Sequence, residues 1–290
     1  MATGAKITGR VTRWWWVRHA PVPNPEARCY GQSDKDCDVS NQALFEHQAR
    51  LLPKGAVWYA SNLLRARKTA EQLGKAGAEL DKLNIDADLA EQHFGDWQGL
   101  TYVEIAEKHG NNHLFWLAPP EHRPAGGESF VDLRERTVKS IDRLTEQHRG
   151  RDIVATAHGG TIRAALAHAF DLHPEAAVRF EIDNVSLTLI EHFEQADPAH
   201  AWRVGFVNYM PRELVVAKAA ALARKAKLSL RPNRQRSGTA RAGRAGSRPT
   251  ISASSVRSPI SARTRWRPPI LSPSQMPERS RRLVRATSMW

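Results

Sequence analysis

Two histidines stand where chemistry can happen. His19 follows Trp14-Trp15-Trp16-Val17-Arg18, and His158 follows Ile153-Val154-Ala155-Thr156-Ala157. Each apolar run reads as a buried strand, so each histidine falls at a strand's C-terminal end. In an open α/β sheet that edge forms the ligand crevice. Arg18 beside the first histidine and Gly159-Gly160 after the second point to a site that binds an anion and attacks it.

Phosphoryl transfer without a metal needs a nucleophile, fixed positive charge around the equatorial oxygens, and an acid for the leaving group. His19 can be the nucleophile through a neutral ring nitrogen. Arg18 offers a planar, permanently charged fork. Arg65, in Ser61-Asn62-Leu63-Leu64-Arg65-Ala66, opens a helix after a strand and adds a second cation. His158 adds another donor, and the Gly159 and Gly160 N–H groups at a helix start suit an anion. Glu91, in the loop before Phe94-Gly95, can protonate a leaving oxygen. The plainer readings are surface ion pairs for the arginines and a solvated acid for Glu91. His93, His109, His113, His122, His148, His168 and His173 read as ordinary surface or core residues. Trp14, Trp15 and Trp16 read as sheet packing, whereas Trp97 and Trp116, in loops, suit a substrate wall.

The elements that must position these groups alternate. Strands are expected at 13–17, 56–60, 85–87 and 152–156, with a closing pair at 185–190 and 202–207. Helices are expected at 41–52, capped by Ser40, and at 64–80, capped by Ser61. Further helices are expected at 101–108, 128–148 and 161–170. In the long helix Leu133, Val138, Ile141 and Leu144 share one apolar face. The βαβα order predicts a three-layer α/β/α sandwich with a mostly parallel central sheet.

Charge divides the chain. It has 290 residues and a formal net charge of +13, yet residues 211–290 hold 19 Lys+Arg against only Glu213 and Glu278. Residues 1–210 are mildly acidic and large enough for one full core. The expected organisation is a flexible N-terminus over 1–12, a catalytic domain over 13–210, a helix or linker over 211–230 and a disordered basic tail over 231–290. The tail, typified by Arg-Ala-Gly-Arg-Ala-Gly-Ser-Arg-Pro at 241–249, lacks periodicity and cannot bury enough apolar surface to offset its chain entropy. Its charge would attract nucleic acid non-specifically. Its lack of Asp equally fits a fused or frame-shifted extension with no evolved role. The N-terminal apolar stretch is too short for a signal peptide, and no run approaches transmembrane length. Cys29 and Cys37 form neither a metal pattern nor a disulfide framework. A cytoplasmic location, away from membranes, is the expectation.

Five motifs in order then carry a resemblance. Arg18-His19-Ala20, Ser61-x-x-x-Arg65-Ala66-x-x-Thr69-Ala70 and Glu91-x-x-Phe94-Gly95-x-Trp97-x-Gly99 are followed by Gly126-Gly127-Glu128-Ser129 and Ala157-His158-Gly159-Gly160-x-Ile162-Arg163. Over roughly 13–207 the chain resembles the phosphoglycerate-mutase-like branch of the histidine phosphatase superfamily. Cys29-Tyr30-Gly31-Gln32-Ser33-Asp34 resembles the alpha-ribazole phosphatase subgroup. The resemblance implies a phosphoglycerate-mutase-like fold and a phosphohistidine at His19. It implies a phosphate pocket from Arg18, Arg65 and His158, with Gly159, and Glu91 as proton donor. Asn24 and Ser33 are looser candidates for phosphate contact, and no metal or organic cofactor is implied. Ala20 replaces a more usual glycine. Gln98 stands where the family often has glutamate, which would be the acid if Glu91 were not.

A mutase must hold a second phosphate, and relatives that do so carry a longer insertion between acid and second histidine. Here the interval from Glu91 to His158 is short and offers chiefly Lys108 and Arg123. The expectation is therefore a metal-independent hydrolase of a small phosphate ester, with alpha-ribazole 5′-phosphate as a candidate. The alternatives are a cofactor-dependent phosphoglycerate mutase and a non-catalytic phosphate- or nucleic-acid-binding protein. The sequence does not set the oligomeric state.

Overall fold

The computed structural model describes residues 9–110, 116–197, 200–216 and 218–219. The expected tail over 231–290 lies outside the described residues. Strand β1 (Val11–Arg18) is followed by helix α1 (Gln42–Leu51), β2 (Val57–Ala60), α2 (Leu64–Lys75) and β3 (Leu83–Ile85). Helices α3 (Tyr102–His109) and α4 (Phe130–Gln147) precede β4 (Asp152–Ala157), α5 (Gly159–Ala169) and the short α6 (Pro174–Ala177). Strands β5 (Leu187–Phe193) and β6 (Trp202–Tyr209) close the domain.

Six strands form one sheet in the order β3-β2-β4-β1-β5-β6. The first four are parallel, with Arg18 opposite Ala157, which sets His19 and His158 side by side just beyond the sheet edge. The last two strands are antiparallel, joined as a hairpin that Leu187–Phe193 docks onto β1. β1 begins two residues inside the stretch expected to be flexible, because Val11 pairs with Phe193.

The alternation of β1 side chains divides the core. Trp14 and Trp16 stack on one face, with ring centroids 4.9 Å apart. They pack with Ile153, Ala155, Ile141, Leu144 and Ile162, and so with α4 and α5. Val17 and Val154 face the other way, onto Phe45, Leu73 and the rest of the α1 and α2 layer. The result is the expected three-layer sandwich, and Trp14 and Trp16 pack the sheet as expected. In α4 it is Thr137 rather than Val138 that is fully buried.

Local differences have local causes. Asn41, not Ser40, caps α1, its side chain accepting from the Leu44 N–H. α2 stops at Lys75 because the Gly77 turn, at φ 108, leaves helical space. α5 starts at Gly159, so His158 is its N-cap residue. The helix expected after residue 211 is present over 212–216 and at 218–219. There Leu214 packs on the α1 face and Lys218 Nζ reaches Glu181 (2.5 Å) and Asp183 (2.6 Å). Among the described residues no helix is long and apolar enough to cross a membrane.

Candidate active site

Register brings the two histidine rings to a centroid distance of 5.1 Å. Both are buried, His19 at 1% exposure and His158 at 0%. His19 Nδ1 lies 2.7 Å from the Ala20 carbonyl oxygen, an acceptor only, so Nδ1 carries the proton. Nε2 therefore keeps its lone pair, and the ring cannot rotate without losing that bond. Burial holds the His19 pKa well below the usual histidine value, with Arg18 and Arg65 adding to the effect. The ring is neutral and nucleophilic at physiological pH.

The backbone around His19 is tied on every side. Its N–H donates to the Ala157 carbonyl, and Asn184 Nδ2 donates to its own carbonyl oxygen at 2.8 Å. The Ala20 N–H donates to Thr69 Oγ1, which donates in turn to the Arg65 carbonyl, coupling the His19 segment to the first turns of α2. Ala20 is fully buried and does not occupy the positive-φ region, so alanine replaces glycine there without strain.

His158 is oriented by Ser61, whose Oγ lies 2.7 Å from His158 Nε2. The Leu63 N–H donates to the same Oγ; when the Ser61 hydroxyl donates to Nε2, the His158 ring presents Nδ1–H as its donor. Ser61 is expected to cap α2; no side chain caps that helix, and the serine instead holds the His158 ring. Burial, then Arg65 and His19, keep His158 neutral.

Arg65 is fully buried with no carboxylate partner among the described residues. Its Nη1 donates to the Ser33 carbonyl (3.0 Å) and its Nη2 to the Gly31 carbonyl (2.6 Å), while Tyr30 covers the guanidinium face at 5.0 Å. Arg18 is steered by the Ile182 carbonyl. The Nε atoms of Arg18 and Arg65 and Nδ1 of His158 are buried with no hydrogen-bond partner among the described residues. Unsatisfied buried donors are costly, and an oxyanion is the acceptor that satisfies charged ones best.

Arg18, Glu91 and Gly159 open onto a cleft of about 450 Å³, walled by Tyr30, Phe94, Tyr102, Trp116 and Arg163. His19, Arg65 and His158 are set into its wall rather than lining it. The Glu91 carboxylate accepts the N–H of Gln92 (3.0 Å) and of Gly160 (3.1 Å). The Gly160 N–H therefore orients the acid instead of serving an anion directly. Arg136 holds the Glu91 carbonyl while pairing with Glu128, from the Gly126-Gly127-Glu128-Ser129 motif. A Cβ on Gly160 would stand 2.2 Å from Glu91 Oε1, so glycine at this position is a requirement of the acid's placement.

The looser candidates fall elsewhere. Asn24 spends its amide on the backbone of Arg28 and faces a separate groove. Ser33 contributes its carbonyl to Arg65, and its side chain faces that same groove. Three prolines near Asn24 shape a turn that keeps its side chain local. Gln98 accepts the Gln32 N–H and is absent from the main cleft, so Glu91 is the carboxyl group there. Of the two tryptophans expected as substrate wall, Trp116 lines the cleft. Trp97 is buried between His109 and His122. Arg163, Tyr30 and Tyr102 are cleft residues to which no role was given. Arg163 stands one helical turn past Gly159 in the Ala157–Arg163 motif, which is the signal the sequence carries for it.

A family model described as the histidine phosphatase superfamily (branch 1) matches residues 14–204. The chain belongs to that superfamily. Relatives include the bifunctional protein Rv2228c of Mycobacterium tuberculosis, 32% identical over 70% of this chain and 55% of its own length. This chain thus spans little more than half of that relative. A glucosyl-3-phosphoglycerate phosphatase of Mycolicibacterium vanbaalenii is 33% identical, covering 54% of this chain and 74% of its own. A 2,3-bisphosphoglycerate-dependent phosphoglycerate mutase of Gloeobacter violaceus is 36% identical, covering 49% and 66%. Among solved structures, a mycobacterial glucosyl-3-phosphoglycerate phosphatase superposes with a TM-score of 0.60 at 28% identity, covering 69% of this chain and 99% of that one. An alpha-ribazole phosphatase from Shigella flexneri gives 0.56 at 22% identity, covering 68% and 96%, a likeness of fold alone.

Proposed function

We propose that the chain is a phosphomonoester hydrolase that works through a phosphohistidine on His19 and needs no metal. The observation that carries this reading is the His19 ring: neutral, locked with Nδ1–H on the Ala20 carbonyl, and set between Arg18, Arg65 and His158. His19 Nε2 attacks phosphorus in line while the ester oxygen leaves and takes the Glu91 proton. Arg18, Arg65 and His158 Nδ1–H bind the equatorial oxygens throughout. Water then attacks the phosphohistidine as Glu91 takes its proton, releasing inorganic phosphate. Arg18 and Arg65 supply the charge compensation that a metal supplies in other phosphatases, and the neutral His158 adds a hydrogen bond.

Hydrolysis is favoured over mutase transfer because the basic residues of the interval between Glu91 and His158 are occupied or absent from the cleft wall, and beside Arg18 the wall carries one further cation, Arg163, too few for a second phosphate dianion. Arg123 pairs with Asp132 at 2.6 Å, and Lys108 is absent from the cleft wall. The substrate is a small ester. Alpha-ribazole 5′-phosphate, suggested by the Cys29–Asp34 segment, opens the screen, and Tyr30, Phe94, Tyr102 and Trp116 offer ring faces to stack on. The two buried, unpaired thiols suit the reducing cytoplasm. The basic segment beyond residue 230 is proposed to contact nucleic acid only through charge.

The test is hydrolysis of p-nitrophenyl phosphate by the full chain in excess EDTA, beside His19→Asn. Turnover that survives EDTA and disappears in the variant supports the reading. Turnover in His19→Asn, or turnover restored only by added metal, contradicts it.

A further inference from the structure

Arg163 projects from the second turn of α5 into the same cleft as Arg18 and Glu91. Two fixed contacts hold it. Its Nε donates to the Phe180 carbonyl at 2.8 Å. Its guanidinium carbon lies 4.9 Å from the centre of the Trp116 ring, and Trp116 is itself anchored by Nε1 donating to Gln92 Oε1 at 2.9 Å. Burial lowers the Arg163 pKa to about 10, so it stays charged at neutral pH.

Its neighbour is another cation. A Cβ built on Gly159 would lie 2.9 Å from Arg163 Nη1 and 3.6 Å from Arg18 Nε, so the two guanidinium groups face each other across a residue with no side chain. Neither joins an ion pair with a carboxylate among the described residues, and Glu91 is the acid whose charge acts most strongly on Arg163. Arg18 and Arg65 together match the charge of a phosphate dianion. Arg163 is left over as a further positive charge on the cleft wall. Burying like charges this close is unfavourable unless an anion completes the set.

We infer that Arg163 is a specificity-determining residue that binds a second, singly charged anionic group of the substrate, a carboxylate carried near the phosphoester. The inference rests on the phosphatase reading above and narrows its substrate class. One guanidinium fork matches one carboxylate bidentately, whereas a second phosphate dianion would need a further cation that the cleft wall lacks among the described residues. Gly159 keeps the gap between Arg18 and Arg163 open for a ligand that spans both.

The experiment uses the full chain with Arg163→Met and Arg163→Lys. Calorimetric titration compares phenylphosphonate with its 2-, 3- and 4-carboxylated analogues, which bind without turnover. The matching phenyl phosphates are then assayed for hydrolysis. The native chain should bind at least one carboxylated phosphonate about tenfold to a hundredfold tighter than phenylphosphonate. The preference should fall to about one in Arg163→Met and return in part in Arg163→Lys. A native chain with no carboxylate preference, or an undiminished preference in Arg163→Met, overturns the inference. A carboxylate preference in binding with no hydrolysis of any ester would sustain Arg163's role and sink the phosphatase reading alone. Efficient turnover of alpha-ribazole 5′-phosphate with no gain from a carboxylate would support the phosphatase and overturn the second anion.

Discussion

The carboxylate of Glu91 accepts the backbone N–H of Gly160 at 3.1 Å, so Glu91 is anchored to the helix start that carries His158. Two motifs far apart in the chain thus meet as one device. The glycine is needed for space as well as for its N–H, since a Cβ there would meet Glu91 Oε1 at 2.2 Å and Leu133 Cδ2 at 2.8 Å.

Glu91→Gln keeps the shape and removes the proton. General acid catalysis contributes about 10²–10⁴-fold, and more for poor leaving groups. Steady-state kinetics should show kcat/KM, which reports transfer of the phosphoryl group to His19, falling by about that factor on an alkyl phosphate and far less on p-nitrophenyl phosphate, whose leaving group needs little protonation. Equal losses on both esters would remove Glu91 from the role of acid. Gly160→Ala should give the same leaving-group pattern by displacing Glu91.

Ser61 tests the second histidine. Ser61→Ala leaves His158 Nε2 without its 2.7 Å partner and frees the ring to change tautomer. A buried group left unpaired costs about 1–3 kcal/mol. Vanadate inhibition should weaken by about tenfold and kcat/KM should fall in parallel, whereas Ser61→Thr should retain most of both. Unchanged vanadate binding in Ser61→Ala would separate His158 from the phosphate pocket.

The histidines also set a pH dependence of stability. Both have folded-state pKa values held well below 6.5, chiefly by burial, so the unfolded chain binds more protons than the folded one once the pH drops below about 6.5. Stability is complete above that pH and is lost as pH falls, by about 1.4 kcal/mol per pH unit for each histidine. Thermal melts from pH 7.5 to pH 5 should show Tm falling, with a shallower slope in His158→Asn. An identical slope in that variant would place the titration elsewhere.

Residues beyond Met210 are not all dispensable. Ending the chain at residue 210 removes Leu214 from the α1 face and Lys218 from Glu181 and Asp183, whose loop supplies Ile182 and Asn184 to Arg18 and His19. The lost burial amounts to about 1–2 kcal/mol, a Tm drop of several degrees. A chain ending at residue 230 should keep native Tm and activity and lose retention on heparin. Native behaviour of the 210-residue chain would contradict the packing role of 212–219.

The alternation of apolar strands with helices made the sandwich legible, because buried parallel strands and one-faced helices leave strong periodic signals. Arg18, His19 and His158 were legible because each sits at the C-terminal end of a strand whose place in the sheet follows from its order, and Arg65 because it opens the helix after such a strand; Glu91, in a loop, was legible only through the Phe94-Gly95 motif beside it. Asn24 and Ser33 were misplaced because loop geometry over 21–39 depends on tertiary contacts such as Arg65 to the Ser33 carbonyl. Ser61 was read as a helix cap because the sequence carries no trace of the ring that competes for its hydroxyl. Arg163 went unassigned because its role depends on where a helix, Trp116 and the Phe180 carbonyl converge.

The central claim is the covalent intermediate on His19. The most direct measurement is to mix the full chain with a slowly turned-over phosphomonoester, quench in alkali within milliseconds, and locate the phosphoryl group by peptide mass spectrometry. The account predicts an acid-labile phosphoryl on the peptide carrying His19, increased in Glu91→Gln and absent in His19→Asn. A phosphoryl on His158, or burst-free turnover with no phosphohistidine in either the native chain or Glu91→Gln, would contradict it.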